Sequence, residues 1–422
     1  MAQVATTRAP APSAPTAAVP AVRPAVQPAR VDPLAPEPAP GTAVAAEPVV
    51  PVLPPAVWTP AQALELSTYA KGVGREGLDP RDYDVSLLDV ALRGQDPATI
   101  SKAANATWEK LARDLALGHV RGSARVQWFV KDPDLPEGRS RELLDRALGG
   151  AGIAATLDGL LPTHPQYGSL KAALVKAEGD AATLGKIRLN MDRWRWLPRD
   201  LGSRYIIVNV PGEHATLVEN SVTRWKHRAI AGAVKTPTPQ LAVQATGVIL
   251  NPWWEVPPSL SAEVAGKGGY VAVKGKDGKV QRWRQPPGPG NALGKIKFVM
   301  YNPQNIYLHD TNNRGLFDAR SRFLSHGCIR TEHILDLAAE LLGDDGGEWT
   351  QARIDETLTA KKTVQANFVK PLPVYIVYFS VAALTDGNVV RYADLYKRDA
   401  PVLAALNDRD GGDKAKVRAA AR

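Results

Sequence analysis

Ser325-His326-Gly327-Cys328-Ile329-Arg330 is the stretch on which the reading of this chain turns. It holds the only cysteine among 422 residues, with a glycine directly before it and a histidine two positions before. A second histidine, His309, lies 19 positions upstream of the thiol, in Tyr307-Leu308-His309-Asp310-Thr311. A lone cysteine with histidines elsewhere in the chain is a candidate nucleophile and base, and the glycine lets backbone or substrate approach closely. Two other readings use the same residues. Free cysteine packs as a small buried hydrophobe, and His309, His326, Cys328 and His333 could supply four ligands to zinc.

The residues that follow weigh toward catalysis. Ile334, Leu337, Ala338, Leu341 and Leu342 recur at the spacing of one helix face. Thr331 is expected to cap that helix and Gly343 to end it. Cys328 is therefore expected just ahead of a helix N-terminus, where the macrodipole and free N–H groups favour a thiolate with a depressed pKa. Such a placement suits a nucleophile and has no evident use for a packing cysteine.

At this spacing, His-Asp-Thr followed by Ser-His-Gly-Cys-Ile-Arg resembles the signature of the L,D-transpeptidases with a YkuD-type catalytic domain. Three further strings are similar to the large Gram-negative members: Asn190-Met191-Asp192-Arg193-Trp194-Arg195-Trp196-Leu197-Pro198, Asn251-Pro252-Trp253-Trp254-Glu255-Val256-Pro257-Pro258 and Arg284-Gln285-Pro286-Pro287-Gly288-Pro289-Gly290-Asn291-Ala292-Leu293-Gly294. The resemblance is strong from Ile187 to about Asp399 and weaker from Trp58 to Leu174.

That resemblance implies a murein enzyme. Cys328 would attack the penultimate residue of a tetrapeptide stem to give a thioester, and a second stem would resolve it as a 3→3 cross-link with loss of D-Ala. It assigns the base to His309, although on the residues alone His326 serves as well. The Asp310 backbone carbonyl would fix the histidine tautomer, with the Asp310 side chain as an additional route. Backbone N–H groups of Gly327 and Cys328 would form the oxyanion hole. Arg330 would pair with a substrate carboxylate, or else form a structural ion pair at the helix start; Ser325 and Tyr307 join it as substrate-binding residues. No metal or organic cofactor is implied. Donor and acceptor are both peptidoglycan stems, cell-wall synthesis proteins are further partners, a monomer is expected, and carbapenems should acylate the thiol. Rival readings are a member that attaches a protein to murein or hydrolyses it, and a non-catalytic murein-binding scaffold. Intact Cys328 and His309 argue against the last.

Composition bounds the alternatives. A net charge of +9 with basic residues spread along the chain, and no aromatic-basic motif, argue against nucleic acid as partner. Spread positive charge suits an anionic polymer. One cysteine excludes an intramolecular disulfide. No run of 18 apolar residues is present to span a membrane, and Met1 to Thr7 lacks the pattern of a secretory signal. The expected location is nonetheless the periplasm of a Gram-negative bacterium, with the signal removed or the true start upstream.

Along the chain, residues 1–55 are almost wholly Ala, Pro, Val and Thr, disordered by composition and read either as a spacer or as a remnant with no role. Residues 56–185 read as a helical scaffold domain, with helices at Ala61–Leu66, Ile100–Leu117, Ser140–Leu148 and Tyr167–Ala177. His119 and His164 are expected on its surface or in loops. Leu174 leads within a few residues to Leu189, so a small peptidoglycan-binding module is not expected between them. Residues 186–400 read as a mostly-β, sandwich-like catalytic domain, with a hairpin at Tyr205–Val218 and strands at Gly247–Leu250, Tyr270–Val273, Lys297–Met300 and Val374–Phe379. A lid shorter than the family's is expected at about 259–284. Its Gly/Lys runs lack the phosphate-loop pattern, and Trp253, Trp254 and Trp283 flank it as core or cleft-edge aromatics. Residues 401–422 form the expected C-terminal tail. The fold class is thus α+β and multidomain.

Overall fold

Helix starts in the first half of the chain are marked by their caps. Thr59 and Gln62 close a capping box at α1 (Pro60–Lys71), with Pro60 in its first turn. After α2 (Val85–Gly94), Asp96 caps α3 (Pro97–Leu117) by accepting from the Thr99 N–H. Helices α4 (Arg139–Arg146), α5 (Ile153–Asp158), α6 (Pro165–Lys176) and α7 (Ala181–Arg195) follow. The computed structural model describes residues 54–409 other than 132–134, 136–137, 344–345, 347 and 385, so the Ala/Pro-rich segment 1–53 and the end 410–422 lie outside the described residues. From Pro54 onward the chain is one compact unit. Its first core gathers Leu66, Leu88, Ile100 and Leu111 around Trp58 and Trp108, whose rings meet edge to face at 6.2 Å.

The strands are β1 (Trp128–Phe129), β2 (Arg204–Asn209), β3 (His214–Glu219), β4 (Val222–Gly232), β5 (Gln240–Leu250), β6 (Trp254–Glu255), β7 (Val271–Lys274), β8 (Val280–Gln285), β9 (Ile296–Val299), β10 (Leu308–His309), β11 (Phe323–Ser325), β12 (Ile329–Thr331) and β13 (Val364–Val377). They pair in the order β1-β5-β13-β2-β3-β4-β12-β10-β9, and β9 pairs back onto β5. The two layers of the expected sandwich are therefore one mixed sheet wrapped around a shared core. Into that core run Ile206, Val208, Ile296, Phe298, Leu308 and Ile329, alternate residues of their strands. Helix α9 (Ile334–Gly343) adds Ile334, Leu337, Ala338, Leu341 and Leu342. At about 1.5–3 kcal/mol for each large side chain buried, packing holds this helix. Thr331, expected as its cap, instead ends β12 and is buried.

The outer face of the sheet is divided. Over β2, β3 and β13, Tyr205, Val218 and Tyr375 pack against Leu170, Met191 and Trp194 of α6 and α7. A separate three-stranded sheet, β6-β8-β7, touches this face through Trp254 of β6, which bonds Tyr307. It has a small core of its own, in which Val256, Leu260 and Val264 meet Trp254, Tyr270 and Trp283.

The string Asn190–Trp196 is the end of α7, and its buried polar residues each hold a different segment. Asn190 bonds Ser380 through both amide atoms, at 3.0 and 3.1 Å. Asp192 accepts from the His119 N–H at 2.6 Å and from Trp196 Nε1 at 2.9 Å. Arg193 reaches Asp399 at 2.7 Å, and Arg195 reaches the Tyr167 hydroxyl at 2.6 Å. Two expectations are corrected here. Residues 401–406 are not tail: they belong to α11 (Asp399–Leu406), whose Val402, Ala405 and Leu406 pack on Leu189 and Trp196. Neither histidine of the helical region is a bystander. His164 caps α6 and stacks on Trp194 at 4.3 Å.

His119 is buried, with Nδ1 2.7 Å from Asp114 and Nε2 2.9 Å from the Asp408 carbonyl. Burial pulls its pKa down, but the Asp114 hydrogen bond and charge outweigh this and raise it to about 9. Its folded pKa lies above the unfolded value of about 6.5. The stabilisation is therefore whole below that value and is lost as pH climbs through about 9. Replacing His119 by Gln should cost on the order of 2 kcal/mol at neutral pH. Thermal melts over a pH series should show the two proteins converging in the alkaline range; a constant gap would refute the charged pair.

Candidate active site

Four residues reach one surface because strands alternate. Strands β10 and β12 pair in parallel, Leu308 opposite Ile329 and His309 opposite Arg330. Leu308 and Ile329 point into the core, so His309 and Arg330 point out, and so do Tyr307 and Cys328, two residues before each. On β9, Lys297 is the cross-strand partner of His309 and joins the same outer patch.

His309 is 5 % exposed, and its Nδ1 lies 2.5 Å from the Asp310 carbonyl oxygen. Nδ1–H donates there, which leaves Nε2 with its lone pair. Burial, then Arg330, depress the histidine pKa to about 3 against the opposing pull of the Asp310 carbonyl, with Lys297 depressing it further. The ring is a neutral base at any physiological pH. The Asp310 side chain is occupied elsewhere, accepting from the Lys295 N–H at 2.9 Å and pairing with Arg314 at 3.1 Å. Of the two routes expected from Asp310, the structure has the backbone one.

Cys328 does not lie at a helix start. Strand β12 intervenes, and α9 begins six residues later, beyond the reach of a macrodipole that acts within the first turn. Its Sγ lies 3.5 Å from the Asn305 carbonyl oxygen, to which the thiol donates. Burial pushes the thiol pKa up, opposed by hydrogen bonds from the Tyr307 amide and hydroxyl and by the charges of Lys297 and Arg330. The expected depressed thiol is thus corrected: burial raises it, with no helix dipole in reach to offset that cost. Tyr307 in turn takes a hydrogen bond from Trp254 of β6, and its ring lies 5.7 Å from that of His309 and 4.8 Å from Lys297 Nζ.

The loop before Cys328 is held by its own side chains. Ser325 is 3 % exposed; its Oγ donates to the Cys328 carbonyl at 2.6 Å and accepts the Gly327 N–H at 3.1 Å. This corrects two assignments. In this structure Ser325 is a staple whose O–H is spent within the loop, and the Gly327 N–H is bonded to it and not directed at an oxyanion. Gly327 has φ +114°, a value that favours glycine. Thr238, wholly buried, donates to the Gly327 carbonyl at 2.7 Å and accepts the Gly232 N–H at 2.9 Å. His326, between Ser325 and Gly327, is exposed.

Arg330 is half-buried, and its Nε is buried without a hydrogen-bond partner. Among the described residues no carboxylate pairs with it, so the structural ion pair is not formed; the group whose charge bears on it is Cys328. The four-ligand zinc reading fails as well. His333 lies beside His227, their ring centroids 4.8 Å apart, and the group it forms there excludes Cys328, His309 and His326.

Lys297 and Thr238 were not legible as site residues, and Trp254 was read only as a core or cleft-edge aromatic. The alternation Ile296-Lys297-Phe298 does mark Lys297 as outward-facing, but nothing local says what it faces. With this geometry in view, residues 203–375 match the L,D-transpeptidase catalytic domain family, YkuD, and residues 55–174 match the Scaffold domain family. The chain is 32% identical over 249 residues to a protein of Haemophilus influenzae named as a putative L,D-transpeptidase. The match covers 53% of this chain and 50% of the relative, so the chain spans about half the length of the curated relative it matches. Among solved structures, a cysteine-to-serine mutant of Enterococcus faecium L,D-transpeptidase aligns at 13% identity and TM-score 0.22, covering 42% of this chain and 50% of that one. An L,D-transpeptidase from Mycobacterium smegmatis aligns at 12% and TM-score 0.22, covering 42% and 58%.

Two substitutions test the loop. A Cβ at Gly232 would meet the Thr236 carbonyl oxygen at 2.1 Å and the Gly327 Cα at 3.1 Å, so Gly232→Ala should destabilise the fold and displace the cysteine loop. Ser325→Ala strips two hydrogen bonds from buried backbone, a cost of about 1–3 kcal/mol. Thermal unfolding and amide exchange at residues 327–329 should both register it. If Ser325→Ala changes neither, Ser325 is not the staple, and a substrate contact becomes the better reading.

Proposed function

For a chain whose catalytic domain is of the YkuD L,D-transpeptidase family and follows a Scaffold domain, we propose the formation of 3→3 cross-links between murein stem peptides through a thioester on Cys328. The observation that carries this reading is the β10–β12 register, with Arg330 opposite His309 and Cys328 two residues before Arg330. His309 Nε2 takes the thiol proton as sulfur bonds to the stem carbonyl carbon, then delivers it to the departing D-Ala amine. The amine of a second stem attacks the thioester, gives its proton to His309, and releases the thiol. The Cys328 N–H is the oxyanion donor in this scheme.

Arg330, unpaired among carboxylates, and Lys297 supply positive charge for the developing anion and for a stem carboxylate. Tyr307 serves as a donor to sulfur and a wall of the site. No cofactor takes part. The reaction belongs in the periplasm, on a monomer working beside cell-wall synthesis proteins; among the described residues no helix is long and apolar enough to cross a membrane. Water or a protein amine as acceptor would make the same thioester and a different product.

Mass spectrometry of tetrapeptide muropeptides incubated with the protein tests the reaction. Cys328→Ala should abolish the cross-linked dimer. His309→Ala should lower the rate by about 10²–10⁴-fold, the usual worth of a general base, and His326→Ala should leave it near that of the unaltered protein. Equal losses at the two histidines would reverse the choice of base. Free stem with D-Ala removed, in place of dimer, would indicate hydrolysis.

The thiol gives a second test. A carbapenem should form a stoichiometric adduct on Cys328, read by intact mass. Alkylation by iodoacetamide without substrate should keep accelerating beyond about pH 8.5, the ordinary cysteine value. Lys297→Met removes a charge that favours thiolate and should move that profile further alkaline. A plateau from pH 5 to about 8 would instead show a preformed thiolate–imidazolium pair.

A further inference from the structure

Strands β4 and β12 run antiparallel, with Arg330 opposite Ile230 and Thr331 opposite Ala229. The Glu332 N–H continues that ladder by donating to the Arg228 carbonyl at 3.0 Å. One step further, the same register brings His333 to His227, whose rings lie 4.8 Å apart. One ligand atom from each of His227, Glu332 and His333 falls within 4.8 Å of the other two. We propose that these three side chains bind one divalent transition-metal ion, zinc by the chemistry of their donors, in a site separate from the thiol.

The surroundings of each ligand argue for a built site. His333 Nδ1 is 3.2 Å from Asp336 Oδ2. A carboxylate on one imidazole nitrogen fixes the tautomer and frees the other for a metal, as is usual behind metal-binding histidines. Glu332 is held by Arg228, whose Nε and terminal nitrogen donate to its two oxygens at 3.0 and 2.5 Å. An ionised carboxylate has about four lone-pair positions; Oε2 also accepts the Arg228 backbone N–H at 3.3 Å, so Oε1 is the oxygen that retains one for an ion. His333 has φ +53°, an uncommon backbone for a residue other than glycine, and this conformation turns it back toward β4. Two imidazoles and a carboxylate suit zinc, and a water would complete the tetrahedron.

Two features set the expected affinity. Tetrahedral zinc with bonds of about 2.0–2.2 Å separates its ligand atoms by roughly 3.4 Å. The observed spread is larger, and the exposed His333 ring must rotate to close it. Arg228 adds a positive charge nearby, offset by Glu332, Asp336 and Asp318, the last paired to Arg228 at 2.6 Å. The site is therefore one of moderate affinity. It ties β12, the strand that follows the nucleophile, to β4 at the end away from Cys328, and it does not depend on the transpeptidase reading.

The experiment uses the full chain carrying Cys328→Ser, so that the thiol cannot take metal, titrated with zinc ion alone by calorimetry. One equivalent should bind, and thermal unfolding should rise with zinc concentration. His227→Ala and His333→Ala should each abolish saturable binding, and Asp336→Asn should weaken it by about 10-fold, the usual effect of losing an orienting carboxylate. His326→Ala should bind as the parent does, and circular dichroism establishes that each variant is folded. No saturable binding to the parent, or binding undiminished by His227→Ala and His333→Ala together, overturns the proposal.

Discussion

The parallel pairing of β10 with β12 is the constraint on which the rest of this molecule depends. It is very short, with two registered partners, Leu308–Ile329 and His309–Arg330. One face of the pair is core and the other is chemistry. A slip of one residue would turn Cys328 and His309 inward and bring Leu308 and Ile329 out, because side-chain direction alternates along a strand. So few backbone hydrogen bonds cannot hold register by themselves. The burial of Leu308 and Ile329 holds it from within, and the Ser325 and Thr238 bonds to the cysteine loop hold it from the side. Gly232 permits the close approach, since its bare Cα faces Gly327.

The same sheet explains the division of labour outside it. A closed sheet has only one free face. Here α6 and α7 take the part over β2 and β13, and Trp254 of the β6-β8-β7 sheet reaches Tyr307 beside the thiol. The Asn190–Trp196 string accordingly contributes nothing to the catalytic patch. A helix wedged between two cores must satisfy its buried polar groups against several segments at once. Asn190, Asp192, Arg193 and Arg195 each do so with a different one. An unpaired buried charge is costly, which ties that residue string to that location as firmly as chemistry ties the cysteine.

What could be read from the sequence was whatever is local. The α9 stripe and the alternation in β2 and β9 announce themselves within a dozen residues. The candidate nucleophile was legible because it is the lone cysteine in an unusual string. Relations between distant segments were not. The step from Cys328 to Ile334 looked like a loop running into a helix, yet Ile329–Thr331 is a strand whose partners lie about 20 and 100 positions upstream in β10 and β4. Misreading that step misplaced the helix dipole and, with it, the protonation state of the thiol. His119 failed for the same reason: its partners Asp114 and Asp408 include one that no local window contains.

The protonation state matters for how such a site can work. Burial holds His309 well below the usual histidine range and pushes the thiol above its ordinary value, so both shifts oppose moving the proton from sulfur to imidazole in the resting protein, unlike sites that store a thiolate. Charge must develop as sulfur bonds to carbon, and at that moment Lys297, Arg330 and the Tyr307 hydroxyl act on it in a desolvated setting where their influence is large. Burial thus has two opposed effects. It suppresses idle reactivity of the free thiol, and it strengthens the fixed positive groups that the transition state meets. A cysteine at a helix start would forgo the first of these. One buried between short strands has both.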